Sequence, residues 1–220
     1  MIAYGKIIPQ AILDISTMAP INVHGSLLPK YRGASPIQSV FLNNEKETGI
    51  TIMKMDASMD TGDMIDTLKF KIPFDWTVAE VIEKMKKAGP ELLCDTVRKY
   101  GKKMLGEVKQ DNEKATYCSK IEKEDGEIDP RKESLQSVYN KYRAFFLWPK
   151  IYFFQATKGE HMLRIIIEKI VLDEKIFHEK NDLPLFDEKR NLHPAIKEIS
   201  LKPEGKKILS RDDFVNGYCK

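Results

Sequence analysis

Cysteine is scarce in these 220 residues: only Cys94, Cys118 and Cys219 occur, an odd number without paired spacing. Such usage argues against a disulfide scaffold or a zinc ribbon and fits a reducing cytosol. Long apolar runs are missing as well. No stretch approaches the ~18 consecutive apolar residues of a membrane span, because Lys, Asp or Pro interrupts each one. The start Met1-Ile2-Ala3-Tyr4-Gly5 has no basic n-region, and Lys6 breaks any apolar segment of a signal peptide. Neither sign of charge dominates: 36 Lys and Arg face 33 Asp and Glu, a net +3 with pI ≈ 8.5. That balance permits a nucleic-acid partner without requiring one. What is present suffices for a packed core, since 42% of residues are hydrophobic and 31% charged. Global disorder is thereby excluded, and the length allows one large domain or two modest ones.

Strand and helix patterns alternate in the first half. Ile2-Ala3-Tyr4-Gly5 with Ile7-Ile8-Pro9 reads as a buried strand entering a turn, and a buried strand needs neighbours on both edges. The expectation is a chain that starts inside a fold. A short helix is predicted over 10–15 and a strand over Ile21-Asn22-Val23-His24. Ser35-Pro36 with Gln38 has the form of a capped helix start, followed by Ile37, Val40 and Phe41 on one face. Strands follow at 49–53 and 67–72, the second alternating Leu68, Phe70 and Ile72 with Thr67, Lys69 and Lys71. Thr77-x-x-Glu80 forms another capping box, and Gly89-Pro90 is expected to end that helix and open the next.

These patterns predict an α/β layered domain over residues 1–103, a polar linker over 104–122 and a second domain over 123–220. In the second, a helix carrying Leu135, Val138, Tyr139 and Tyr142 precedes Trp148-Pro149. Strands then follow around a Lys158-Gly159-Glu160 turn, which suggests a small barrel.

The densest polar cluster is Asn22-Val23-His24-Gly25-Ser26-Leu27-Leu28-Pro29. Residues two apart on a strand share a face, so Asn22 and His24 project together. Met59-Asp60-Thr61-Gly62-Asp63-Met64 follows another strand and is expected at the same sheet edge. Asp60 can orient His24 and favour its protonated form, leaving Asn22 and His24 to donate to a developing oxyanion. Ser26 has no base of its own, which disfavours a covalent acyl-enzyme. The alternative is a polar strand end beside an Asp-rich turn. Asp56, Asp60 and Asp63 do not follow the spacing of a calcium loop, so no metal is expected. His161, His178 and His193 stand isolated.

The run from Asn22 through Gly33 to Gln38, together with Glu47-Thr48-Gly49-Ile50-Thr51-Ile52-Met53 and Met59-Asp60-Thr61-Gly62-Asp63-Met64, resembles the methionyl-tRNA formyltransferase family. Arg143-Ala144-Phe145 with Trp148-Pro149, and Leu201-Lys202-Pro203-Glu204-Gly205-Lys206-Lys207, resemble landmarks of its C-terminal domain. The resemblance implies part of a Rossmann-like catalytic domain followed by an OB-like β-barrel. It implies a reaction in which a formyl group passes from 10-formyltetrahydrofolate to the amino group of methionine on initiator tRNA, in a monomeric cytoplasmic enzyme. It places catalysis on Asn22, His24 and Asp60. It lines the folate pocket with Tyr4, Gly5, Lys6, Ile7 and Ile8 and with Asp56, Ala57, Ser58 and Met59. It assigns tRNA and substrate contacts to Ser26, Leu27, Leu28, Pro29, Arg32, Lys206 and Lys207. Three departures accompany it: family members begin with a further α/β stretch, Lys54 replaces a less charged residue, and 175–195 lacks Gly-rich hairpins. A relative that formylates an amino-sugar nucleotide or hydrolyses 10-formyltetrahydrofolate shares the Asn-His-Asp set, and a non-catalytic RNA-binding remnant is the reading from another class.

Overall fold

Hydrophobic periodicity places most elements where the chain folds them. The computed structural model describes residues 8–156, 161–187 and 191–218. The chain divides into two compact units, Met1–Ile121 and Glu122–Lys220.

In the first unit a single turn of helix, α1 (Gln10–Leu13), precedes strand β1 (Ile21–His24). Then come the two-residue strand β2 (Arg32–Gly33) and helix α2 (Pro36–Leu42). Strands β3 (Glu47–Lys54) and β4 (Met64–Lys71) form a hairpin, and helix α3 (Val78–Gly101) follows. A second two-residue strand, β5 (Tyr117–Cys118), closes the unit. The sheet order is β1-β3-β4, both pairings antiparallel. Central β3 is buried along six consecutive residues, as a strand with neighbours on both edges must be, while edge strand β4 alternates. Ile50, Ile52 and Met53 of β3 share the core with Val40 and Phe41 of α2 and Val78 and Val81 of α3.

The Thr77 capping box forms as expected. The Thr77 side chain accepts from the Ala79 amide, and the Glu80 carboxylate accepts from the Thr77 amide at 2.7 Å. Thr77→Ala is expected to lower the stability of the first unit by about 1 kcal/mol in urea unfolding; an unchanged midpoint would show that packing alone fixes this helix start.

Two local expectations fail for identifiable reasons. Gly89-Pro90 does not divide the helix: α3 runs 24 residues with Pro90 inside it. Proline forfeits one backbone hydrogen bond, but buried Val78 and Val81 anchor one side and buried Thr96 the other, with Thr96 Oγ1 donating to Asp66 at 2.9 Å. Ser35 does occupy the N-cap of α2, yet its hydroxyl donates to the Ser119 carbonyl and makes no capping bond.

Residues 104–121 are not a free linker but pack within the first unit. Met64 and Val108 exchange backbone hydrogen bonds, and β5 pairs in parallel with β2. Polar contacts hold this segment, so hydrophobic periodicity is blind to it.

The second unit holds α4 (Leu135–Ala144), β6 (Ile151–Ala156), β7 (Met162–Leu172), α5 (Glu174–Lys180), β8 (Ile196–Pro203), β9 (Leu209–Ser210) and α6 (Arg211–Tyr218). Its strands form one antiparallel sheet in the order β6-β7-β8-β9. Among the described residues no bridge joins β9 back to β6. Its core gathers Leu135 and Val138 of α4, Ile165 and Ile167 of β7, Phe177 of α5 and Leu201 of β8. Where hairpin glycines are lacking, the chain builds α5, started by the Asp173 carboxylate accepting from the Lys175 and Ile176 amides. The Lys158-Gly159-Glu160 turn lies outside the described residues. Among them, no helix is long and apolar enough to cross a membrane.

Candidate active site

Asn22 and His24 alternate with Val23 along β1 and so share a face of the sheet. Gly25, directly after His24, lies tight against α2: a Cβ there would approach Ile37 Cγ1 at 3.1 Å. The Asn22 amide makes no hydrogen bond among the described residues and stays half-buried.

His24 is only 5% exposed and each ring nitrogen faces an oxygen. Nε2 lies 2.9 Å from the Tyr31 carbonyl oxygen, which can only accept, so Nε2 carries the proton. Nδ1 therefore faces the carboxylate of Asp60, 3.6 Å from Oδ2. That separation exceeds an ordinary charge-assisted hydrogen bond and leaves Nδ1 as the reactive nitrogen. The Nε2–H is donated to the Tyr31 carbonyl, so a hydrogen bond from His24 to an oxyanion would have to come from Nδ1.

The route by which Asp60 reaches His24 also differs from expectation. Antiparallel pairing sets Ile21 opposite Lys54, so the β3–β4 loop leaves the sheet beside the start of β1, not beside His24. The loop must fold back. Asp60 adopts φ 55°, a left-handed conformation that aspartate tolerates better than most residues. Its Oδ2 accepts from the Gly33 amide at 2.8 Å. Asp56 organises the first half of the loop, its carboxylate accepting from the Ser58 amide and the Thr61 hydroxyl. Asp56, Ala57, Ser58 and Met59 are exposed, with the Asp56 carboxylate turned onto its own loop. Of the other expected pocket residues, Ile8 is half-buried, whereas Tyr4, Gly5, Lys6 and Ile7 lie outside the described residues.

Several expected substrate contacts are inward-facing. Ser26 is fully buried and its hydroxyl donates to the Lys30 carbonyl at 2.7 Å. Leu28 is buried, its amide donating to Thr51 Oγ1, while half-buried Leu27 packs on Gly49 and Pro29 is also half-buried. Arg32, at 1% exposure, is the largest correction. Its Nε and Nη2 both donate to Gln110 Oε1, at 3.0 and 2.8 Å, and Nη2 also donates to Asn112 Oδ1. A guanidinium spent this way is structural and cannot meet tRNA. Lys206 and Lys207, in contrast, stand exposed beyond Gly205 in the β8–β9 turn.

The sequence reading missed Gln110, whose amide donates to the Asp60 and Gly62 carbonyls at 2.9 and 2.7 Å. It also missed that Tyr31 supplies the His24 anchor. The Tyr31 phenol is pushed well above its usual range, first by burial and then by the Glu45 carboxylate that accepts its proton. Glu45 is held low, chiefly by the Lys30 ammonium at 2.8 Å.

An imidazole on one strand faces an aspartate on a folded-back loop, and the family comparisons place this chain among the formyltransferases. Residues 1–97 match the formyl transferase family and residues 120–181 the formyl transferase C-terminal domain. The chain is 38% identical over 221 residues to the methionyl-tRNA formyltransferase of Sulfurovum sp. strain NBC37-1, covering 99% of this chain and 67% of that protein. It is 39% identical over 223 residues to that of Caldicellulosiruptor saccharolyticus, covering 99% and 70%. The chain belongs to the methionyl-tRNA formyltransferase family and spans about two thirds of the length of these relatives. Solved structures agree at the level of fold. A methionyl-tRNA formyltransferase from Clostridium thermocellum superposes with TM-score 0.60 at 18% identity, covering 94% of this chain and 75% of that one. The sugar 3N-formyl transferase WlaRD, solved with dTDP and 5-N-formyl-THF, gives 0.62 at 20%, covering 95% and 70%.

Proposed function

We propose that this chain transfers a formyl group from 10-formyltetrahydrofolate to the α-amino group of methionyl-initiator tRNA, as a cytoplasmic enzyme acting at translation initiation. The observation that carries the reading is His24, fixed through Nε2 so that Nδ1 meets Asp60. The α-amino nitrogen attacks the formyl carbon, and its surplus proton passes to His24 Nδ1. Asp60 stabilises the imidazolium, and Asn22 donates its amide N–H to the oxygen as the carbon becomes four-coordinate. Collapse breaks the bond to the folate nitrogen, which takes the proton back from Nδ1, so the site ends as it began. The exposed 56–59 loop is proposed, with Ile8, to line the folate pocket.

Formylation of charged initiator tRNA by the purified chain tests the reading, with a dTDP-amino sugar as the competing acceptor. Product on the tRNA supports it; product on the sugar alone, or on neither, overturns it.

Lys206 and Lys207 are proposed phosphate contacts. Their joint replacement by Glu is expected to raise KM for tRNA about tenfold, reduce the salt dependence of binding by up to about two ions and leave KM for folate unchanged. An unaltered salt slope would remove them from the tRNA surface.

A further inference from the structure

Gln110 lies in a segment without periodicity, yet it is 4% exposed and both halves of its side-chain amide are used. The oxygen accepts twice from Arg32, and the nitrogen donates to the carbonyls of Asp60 and Gly62. Those two carbonyls flank the turn that returns the β3–β4 loop to His24. The loop needs such a restraint. Asp60 sits at positive φ, and Gly62 lies so close to the Lys54 carbonyl that a Cβ would be 1.9 Å from its oxygen. Arg32 in turn is fixed by Asn112 and by the Tyr117 hydroxyl, with its guanidinium 5.9 Å from the Tyr117 ring centroid. Its backbone is held as well, because β2 pairs with β5. The next residue, Gly33, donates its amide to the Asp60 carboxylate. Asp60 is thus gripped twice from one assembly: at its main chain by Gln110, and at its side chain by Gly33.

We propose that Gln110, anchored on buried Arg32, is a positioning residue that sets the Asp60 carboxylate opposite His24 Nδ1. The proposal rests on the formyl-transfer reading for its kinetic consequence but not for its geometric one. A loop held at two points by hydrogen bonds cannot drift by the ~1 Å that costs a reaction about a hundredfold. Released at these carbonyls, Asp60 keeps the Gly33 contact at its side chain but loses the Gln110 bond at its main chain, and can relax from its left-handed conformation.

Gln110→Glu separates positioning from packing. A carboxylate still accepts from Arg32, now as an ion pair, but it has no N–H to give to Asp60 and Gly62. In the full chain, Gln110→Glu is expected to keep its melting temperature within a few degrees and to lose about 10–100-fold in kcat, with KM for folate and charged tRNA within about twofold. Gln110→Leu, which loses both contacts, is expected to lose both kcat and melting temperature. Wild-type kcat in a folded Gln110→Glu would overturn the proposal, as would equal losses in kcat and KM. A crystal structure of Gln110→Glu supplies the readout that needs no activity: Asp60 Oδ2 displaced from the Gly33 amide or from His24 Nδ1 supports the inference. A carboxylate still in place at both overturns it, even if the chain proves to act on another acceptor.

Discussion

Replacing His24 by alanine is expected to lower kcat for formyl transfer by about 10²–10⁴-fold, equivalent to roughly 3–5 kcal/mol of lost transition-state stabilisation. KM for either substrate should change little, because the imidazole acts on the proton of the attacking amine rather than on its binding. The proposed proton route also sets how this loss combines with a second one. On that route Asp60 acts through His24, its carboxylate lying 3.6 Å from Nδ1 and otherwise accepting from the Gly33 amide. Asp60→Asn alone should therefore cost one to two orders of magnitude. On top of His24→Ala it should cost almost nothing more, because residues that work as a unit are not additive. Single-turnover formylation by wild type, both single variants and the double variant provides the test. If the two losses multiply, Asp60 acts on substrate independently and the proton route through Nδ1 is wrong. Asn22→Ala should behave differently: it removes an oxyanion donor, so its cost should largely persist when His24 is also removed.

The readable part of this site is the part built by local rules. Alternation on one strand put Asn22 and His24 on a common face, and the structure keeps them there. The Thr77 and Glu80 spacing announced the start of α3, because a capping box closes within four residues and needs no tertiary partner. The rest depends on contacts between residues far apart in sequence. Arg32 is assigned to the substrate by the family resemblance alone; its burial follows from Gln110, 78 residues later. Gln110 itself gave no signal, since a lone glutamine in a charged, aperiodic stretch has no pattern to reveal it. The direction of the Asp60 loop was hidden for a related reason. Strand patterns do not say whether neighbours run parallel or antiparallel, and only pairing of β1 with β3 shows that the loop has to fold back. In the second unit β6 and β7 were readable from their aromatic and β-branched runs, whereas β8, which alternates buried and half-buried residues among lysines and a glutamate, and two-residue β9 were not.

Gly33 is where those long-range contacts converge, and Gly33→Ala is expected to be the most damaging substitution of a residue that carries no chemistry. At φ 123° the residue occupies a region that L side chains rarely adopt, and a Cβ would sit 2.2 Å from the Cys118 carbonyl oxygen. Neither atom can yield: Cys118 is paired with Gly33 in the β2–β5 ladder, and its carbonyl accepts from the Ala34 amide at 3.1 Å. The ladder has only two registered pairs, so prying one apart takes most of it. With it go the Gly33 hydrogen bond to Asp60 and the packing that keeps Arg32 beside Gln110. A cost of about 2–4 kcal/mol to the first unit follows from strain and clash together, with kcat falling even in the fraction that folds. Gly205→Ala separates the two terms. That residue also has positive φ, at 72°, but nothing lies within 4 Å of the added carbon, so only the conformational penalty of about 1–2 kcal/mol applies, and to the second unit. Trp76 and Trp148 are the two tryptophans and fall one in each unit. In a Trp148→Phe background, fluorescence during urea unfolding therefore follows the first unit alone. A clear fall in midpoint for Gly33→Ala, with none for Gly205→Ala, is the expected pair of results. If Gly33→Ala left both the midpoint and kcat unchanged, the β2–β5 ladder could not be what holds Asp60 against His24.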